Sequence, residues 1–128
     1  MIKSPNLINL LIVDDNSIIR KSFKHLLVSI ENLNVVGECS DGNEVISFLK
    51  MNEVDVIFMD VVMKNIDGIE ATKMVKKQYP KIKIIGFSSS AHHAIIEKML
   101  ESGADGFISK YDVTKQLILF EINRVMNL

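Results

Sequence analysis

Four charged side chains and one hydroxyl stand in this sequence where an apolar run stops abruptly. Leu7-Ile8-Asn9-Leu10-Leu11-Ile12-Val13 meets Asp14-Asp15, and Val54-Asp55-Val56-Ile57-Phe58-Met59 meets Asp60. Lys81-Ile82-Lys83-Ile84-Ile85-Gly86-Phe87 meets Ser88, and Gly106-Phe107-Ile108-Ser109 meets Lys110. Brought together, carboxylates repel one another, and the ordinary relief is a hard divalent cation with oxygen ligands. Mg²⁺ suits such a site because it uses few carboxylates, keeps waters and leaves room for phosphate oxygens. A carboxylate neutralised in this way can attack phosphorus and become an aspartyl phosphate. An ammonium from Lys110 and a hydroxyl from Ser88 could then hold the transferring oxygens, which is most of what phosphoryl transfer asks of a protein. Taken singly, each residue is commonplace. An acid after a strand is usually a turn or cap residue, and a lone loop serine or lysine is usually solvated. The adjacent pair Asp14-Asp15 is harder to dismiss, since capping needs only one acid. The weight lies in the set.

These residues depend on elements that repeat along the chain. Short Val- and Ile-rich runs read as strands buried on both faces, the mark of a parallel sheet. They fall at about 7–13, 34–39, 54–60, 81–87 and 106–109, the second being weaker and nearer an edge. Between them run helical patterns. Asn16-Ser17 can cap a helix whose Ile19, Phe23, Leu26, Leu27 and Ile30 share a face, with Arg20, Lys21 and Lys24 on the other side. Asp41-Gly42-Asn43-Glu44 and Asp67-Gly68-Ile69-Glu70 carry the cap-x-x-Glu signature of helix starts. The first carries Val45, Ile46 and Leu49; the second carries Ile69, Thr72 and Val75 and stops near Tyr79-Pro80. Ile95, Ile96, Met99 and Leu100 mark a fourth helix ended by Gly103, and a last helix runs from about Asp112 to the C-terminus. Five β–α units with short connections predict an α/β fold, a doubly wound five-stranded parallel sheet with five helices. Strand ends on such a sheet are where ligands bind.

Composition narrows the function further. The chain of 128 residues fits one domain. Its 15 Lys and Arg against 16 Asp and Glu leave no basic excess, so no direct nucleic-acid binding is expected. No stretch approaches the ~20 apolar residues of a membrane span, and no signal-peptide core precedes Asp14, so a cytoplasmic domain is the default. The single Cys39 permits no intrachain disulfide and reads as a small buried strand residue. His92-His93 read as a solvated helix start. The last helix spreads Leu117, Ile118, Leu119, Phe120, Ile122, Val125, Met126 and Leu128 around its circumference. Part of that surface is expected to meet a partner, a second copy or an output domain.

Taken together, the chain resembles the receiver domain of two-component response regulators, of the CheY-like superfamily, over essentially all of 1–128. The resemblance rests on Asp14-Asp15, Asp60, Asp67-Gly68, Ser88, Gly103-Ala104, and Phe107 with Lys110. It implies a flavodoxin-like strand order 2-1-3-4-5. It also implies that Asp60 accepts a phosphoryl group from a sensor histidine kinase or a histidine phosphotransfer protein. Mg²⁺ would be held by Asp15, Asp60 and the backbone carbonyl of Val62, with Asp14 acting through a water. Lys110 would pair with Asp60 and then with the phosphoryl group. Ser88 would swing toward a phosphoryl oxygen and Phe107 would turn inward, reshaping the surface of the fourth helix, fifth strand and fifth helix. Such a protein is a signalling domain that catalyses its own phosphorylation and dephosphorylation, not an enzyme acting on a separate substrate.

The sequence departs from the family where Lys64 follows Met63 and Tyr111 follows Lys110, positions at which many members have proline. A non-proline peptide after Lys110 is expected to be trans. The Glu-Ser-Gly-Ala-Asp-Gly run at 101–106 resembles receivers joined to a helix-turn-helix output domain, so the chain is either a single-domain regulator or part of something longer. Val62 and Ser90 occupy the positions that tune phosphoryl lifetime, and apolar Val62 predicts slow self-dephosphorylation. A haloacid dehalogenase-like phosphatase would need an acid where Val62 stands, and a flavodoxin would not place Asp14-Asp15 against a flavin phosphate. The alternative that keeps the fold is a pseudo-receiver, an unphosphorylated protein-interaction module.

Overall fold

The computed structural model describes residues 7–63, 66–89 and 92–128. Strands β1 (Ile8–Val13), β2 (Leu33–Cys39), β3 (Val56–Asp60), β4 (Lys83–Ser88) and β5 (Gly106–Ser109) alternate with helices α1 (Ser17–Val28), α2 (Gly42–Met51), α3 (Gly68–Gln78), α4 (His93–Glu101) and α5 (Lys115–Met126). The strands form one parallel sheet in the order β2-β1-β3-β4-β5. This is the flavodoxin-like order expected.

Alternation along the strands explains why helices cover both faces. Leu11, Val13, Ile57, Met59 and Ile84 point to one side and pack with Val45, Leu49, Ala71, Val75 and Met99 of α2, α3 and α4. Leu10, Ile12, Val56, Phe58, Ile85 and Phe87 point to the other and meet Phe23 and Leu27 of α1 and Ile118, Ile122 and Val125 of α5. Since β1, β3 and most of β4 are buried on both faces, apolar residues fill most of their positions, Asn9, Asp60 and Ser88 being the buried polar ones, and the period-2 signal of a half-exposed strand vanishes. Strand β2 is only partly buried and lies at the sheet edge, as its weaker pattern suggested. Its pairing with β1 shifts between Leu10 and Leu11, which bypasses Val36 and bends the edge strand.

Helix starts follow the caps read from the sequence. Asn16 accepts from the amides of Ile18 and Ile19, Asp41 from Asn43 and Glu44, and Asp67 from Glu70. The Glu44 carboxylate closes its box one residue early, on the amide and hydroxyl of Ser40 at 2.9 and 2.6 Å. Gly103, at φ 113°, ends α4 in the left-handed conformation that glycine tolerates best.

Some boundaries differ from expectation. Helix α5 begins at Lys115, because Thr114 takes the capping role and accepts from Leu117 N. Helix α1 stops at Val28, and Ile30 is buried from the following turn, which Asn32 closes at φ 71°. Strand β3 begins at Val56, because Asp55 pins the start of β1: its carboxylate accepts from Asn9 N at 2.7 Å.

One glycine bears directly on the strand ends. A Cβ at Gly68 would collide with the carbonyl of Asp60 and with Val61 Cα, both backbone atoms that cannot rotate away. The Gly68 amide instead donates to Val61 O at 2.8 Å, locking the start of α3 onto the end of β3. Gly68→Ala is therefore expected to lose about 1–3 kcal/mol of stability, read from urea unfolding midpoints.

Candidate functional site

The carboxyl edge of the sheet gathers the residues singled out by the sequence. Asp14 leaves β1 fully buried, Asp15 beside it is exposed, and Asp60 ends β3 at 5 % exposure. Oxygens of the three carboxylates lie within 4.8 Å of one another. Lys110, just beyond β5, places Nζ 2.6 Å from Asp14 Oδ2 and 3.3 Å from Asp60 Oδ1. Ser88, at the end of β4, is 2 % exposed. Asp14, Asp15, Asp60 and Lys110 are thus brought together from β1, β3 and the end of β5, while Ser88 ends β4 at the same edge of the sheet.

The ion pairing differs in emphasis from what the resemblance implied. Lys110 sits closer to Asp14 than to Asp60, because Asp14 is wholly buried and needs the compensation more. Asp14 also receives the amide of Asn16 on Oδ1 at 2.9 Å. The peptide after Lys110 is trans, and no cis bond occurs among the described residues. Lys110 is anchored by its own amide, which donates to Ser88 O at 2.9 Å, and its ammonium lies 5.3 Å from the centre of the Phe87 ring.

Electrostatics single out Asp60. Its carboxyl is pushed up to about 6, first by burial and then by the charge of Asp14, against the opposing pull of Lys110. A carboxyl that holds its proton this firmly, with other acids crowded against it, suits a cation. Two oxygens facing each other across Mg²⁺ lie about 4.2 Å apart, so carboxylate atoms already within 4.8 Å are close to ligating distance.

The remaining expected positions are more dispersed. Val62 lies two residues past Asp60 with its side chain 63 % exposed. The half-buried Phe107 pairs with Gly86 in the sheet, and its ring fills the space a Cβ there would need. Ser90 and Lys64 fall outside the described residues. Cys39 is buried, with its thiol pushed up to about 12 by burial and by Glu44 and Asp41, as befits an inert core residue. His93 is solvated and meets Glu97 at 2.8 Å on the surface.

Arg20 corrects the sequence reading. Periodicity put it on the solvent side of α1, yet its side chain is 18 % exposed and Nη1 donates to the Asp14 carbonyl at 2.5 Å. Its Nε also meets Glu38 at 3.2 Å. Helical spacing cannot reveal this, because a long arginine can fold back over the start of its own helix.

Among known proteins, the model of the response regulator receiver domain matches residues 10–120. The chain belongs to the response regulator receiver domain family. This receiver is 32 % identical over 112 residues to the response regulator UvrY of Escherichia coli (strain K12), covering 88 % of this chain and 51 % of UvrY. It is 33 % identical over 110 residues to VraR of Staphylococcus aureus (strain Mu3 / ATCC 700698), covering 86 % of this chain and 53 % of VraR. The receiver thus spans about half the length of the curated relatives it matches. Among solved structures, the response regulator domain of Thermotoga maritima CheB matches with a TM-score of 0.82 at 32 % identity, covering 95 % of this chain and 98 % of that one. The CheX-CheY-BeF3-Mg²⁺ complex from Borrelia burgdorferi matches with a TM-score of 0.84 at 25 % identity, covering 93 % and 89 %. Receiver domains generally bind Mg²⁺ at an acidic pocket and are phosphorylated on an aspartate, and this receiver has a cluster of three acids, Asp14, Asp15 and Asp60, at the carboxyl edge of its sheet.

The raised Asp60 pKa has a sign that can be tested. The fold binds this proton more tightly than the unfolded chain does, so ionisation of Asp60 withdraws stability as pH rises from about 4 to about 6. In metal-free buffer, Asp60→Asn is expected to melt at a higher temperature than the wild type above pH 6. The gap should close below about pH 4, in thermal melts recorded across pH with a chelator.

Proposed function

We propose that this receiver takes a phosphoryl group on Asp60 from the phosphohistidine of a sensor kinase or phosphotransfer protein, in a Mg²⁺-dependent reaction. The observation that carries this reading is the triangle of buried Asp14 and Asp60 with partly buried Lys110, and Asp15 beside it, at the sheet's carboxyl edge. A carboxylate oxygen of Asp60 forms the new P–O bond while the P–N bond breaks, its electron pair returning to the imidazole of the donor. Asp15, Asp60 and the backbone carbonyl of Val62 would hold Mg²⁺, with Asp14 reaching it through a water. Bound there, the ion would neutralise charge on the transferring phosphoryl oxygens. Lys110 is already within 3.3 Å of Asp60 and supplies a second positive group as charge builds. Ser88 would donate to a phosphoryl oxygen, and Phe107 would follow it inward, altering the surface of α4, β5 and α5. Exposed Leu119 and Phe120 on α5 support a contact there with an output domain or a second copy.

A protein donor must bring its imidazole to the mouth of this pocket. Beside Lys110 lies a groove of about 500 Å³ between α1 and the segment after β5, flanked by exposed Ile18 and Tyr111. That groove supports docking of the donor alongside α1. Asp60→Asn is expected to abolish the single phosphoryl adduct that the wild type gains from a small phosphoryl donor with Mg²⁺, read by intact mass. Ile18→Glu should keep that adduct but slow transfer from a phosphorylated protein donor about tenfold or more, as loss of an interface anchor does. A folded wild type that gains no adduct would instead support a constitutive protein-binding module.

A further inference from the structure

Arg20 ties together elements that the phosphorylation chemistry needs to hold still. Its guanidinium reaches the backbone carbonyl of Asp14 at 2.5 Å from Nη1, while Nε lies 3.2 Å from Glu38 on the edge strand β2. Lys24 shares that carboxylate at 3.7 Å. On the other side, Asp14 N donates to Cys39 O at 3.1 Å, one residue beyond Glu38. The peptide groups of Asp14 are therefore clamped to β2 twice, directly through Cys39 and indirectly through Arg20 and Glu38. The next residue is Asp15, exposed and without a comparable tether of its own among the described contacts.

We infer that Arg20 is a positioning residue, whose fork fixes the β1–α1 turn so that Asp15 meets a cation without reordering the chain. Its planar donors reach a carbonyl and a carboxylate at once, a geometry that a lysine ammonium cannot fully reproduce. The inference rests on the reading that Asp15 and Asp60 hold Mg²⁺, with Asp14 reaching it through a water.

The sign of one substitution separates positioning from simple charge. Arg20 carries a positive charge near an acidic site, so removing it would tighten Mg²⁺ binding if charge alone mattered. Removing a tether would weaken binding, and outer partners of metal ligands are typically worth about 10-fold or more in affinity. The experiment is an NMR titration of the intact chain with MgCl₂, following the amides of Asp15 and Asn16, for wild type, Arg20→Ala and Arg20→Lys. Amide hydrogen exchange of the same turn is recorded without metal. Arg20→Ala is expected to bind Mg²⁺ about tenfold more weakly and to exchange Asn16 faster in the metal-free state, with Arg20→Lys between it and the wild type. Equal or tighter binding by Arg20→Ala, or unchanged exchange in the turn, would overturn the inference. A wild type with no saturable Mg²⁺ response would overturn the metal reading itself, and with it the purpose assigned to Arg20, even if exchange in the turn rose.

Discussion

Mutual repulsion among Asp14, Asp15 and Asp60 is the constraint around which this fold is arranged. Carboxylates with oxygens within 4.8 Å of one another are unfavourable unless something offsets their charge, and two of the three are buried. Lys110 meets part of that need and holds Asp14 at 2.6 Å. Asp60 is left with its carboxyl raised to about 6, the physical signature of an incompletely compensated site. The arrangement persists because the chain cannot move these groups apart. Asp60 ends a strand buried on every residue, with Gly68 against its backbone, and Asp14 follows another such strand.

The opposite edge of the sheet shows the same side chain in a settled role. Asp105 accepts from Ile84 N at 2.9 Å and meets Lys76 at 2.8 Å, while its carbonyl accepts from Arg124. Asp55 accepts from Asn9 N at 2.7 Å. These acids satisfy the amides of the second residues of neighbouring strands β1 and β4 and so help to set register. Aspartates at the two ends of the sheet thus differ in company: Asp55 and Asp105 each accept from the amide of a neighbouring strand, whereas Asp14, Asp15 and Asp60 have carboxylate oxygens within 4.8 Å of one another.

Much of this was legible in the residues. Apolar runs ending in acids placed β1 and β3, and cap-x-x-Glu signatures placed α2 and α3, because strand burial and helix capping are local and stereotyped. Ser88 and Lys110 could be assigned to the site because parallel topology sends every strand end to the same edge. What escaped were contacts that no local pattern encodes. Arg20 folding back onto Asp14, Phe87 lying beneath Lys110, and the preference of Lys110 for Asp14 over Asp60 all arise from packing between distant elements. The start of α5 lies later than the sequence suggests, because Asp112 and Thr114 are both plausible caps and Thr114 takes the role.

If crowding of carboxylates is what makes this edge a cation site, calorimetric titration of the metal-free protein with MgCl₂ is the most direct measurement. The expected result is one saturable site in the wild type, lost on Asp15→Asn, with no change in fold by circular dichroism. Binding that survives Asp15→Asn unchanged, or a wild type that gives no binding heat and no spectral response to Mg²⁺, would contradict it.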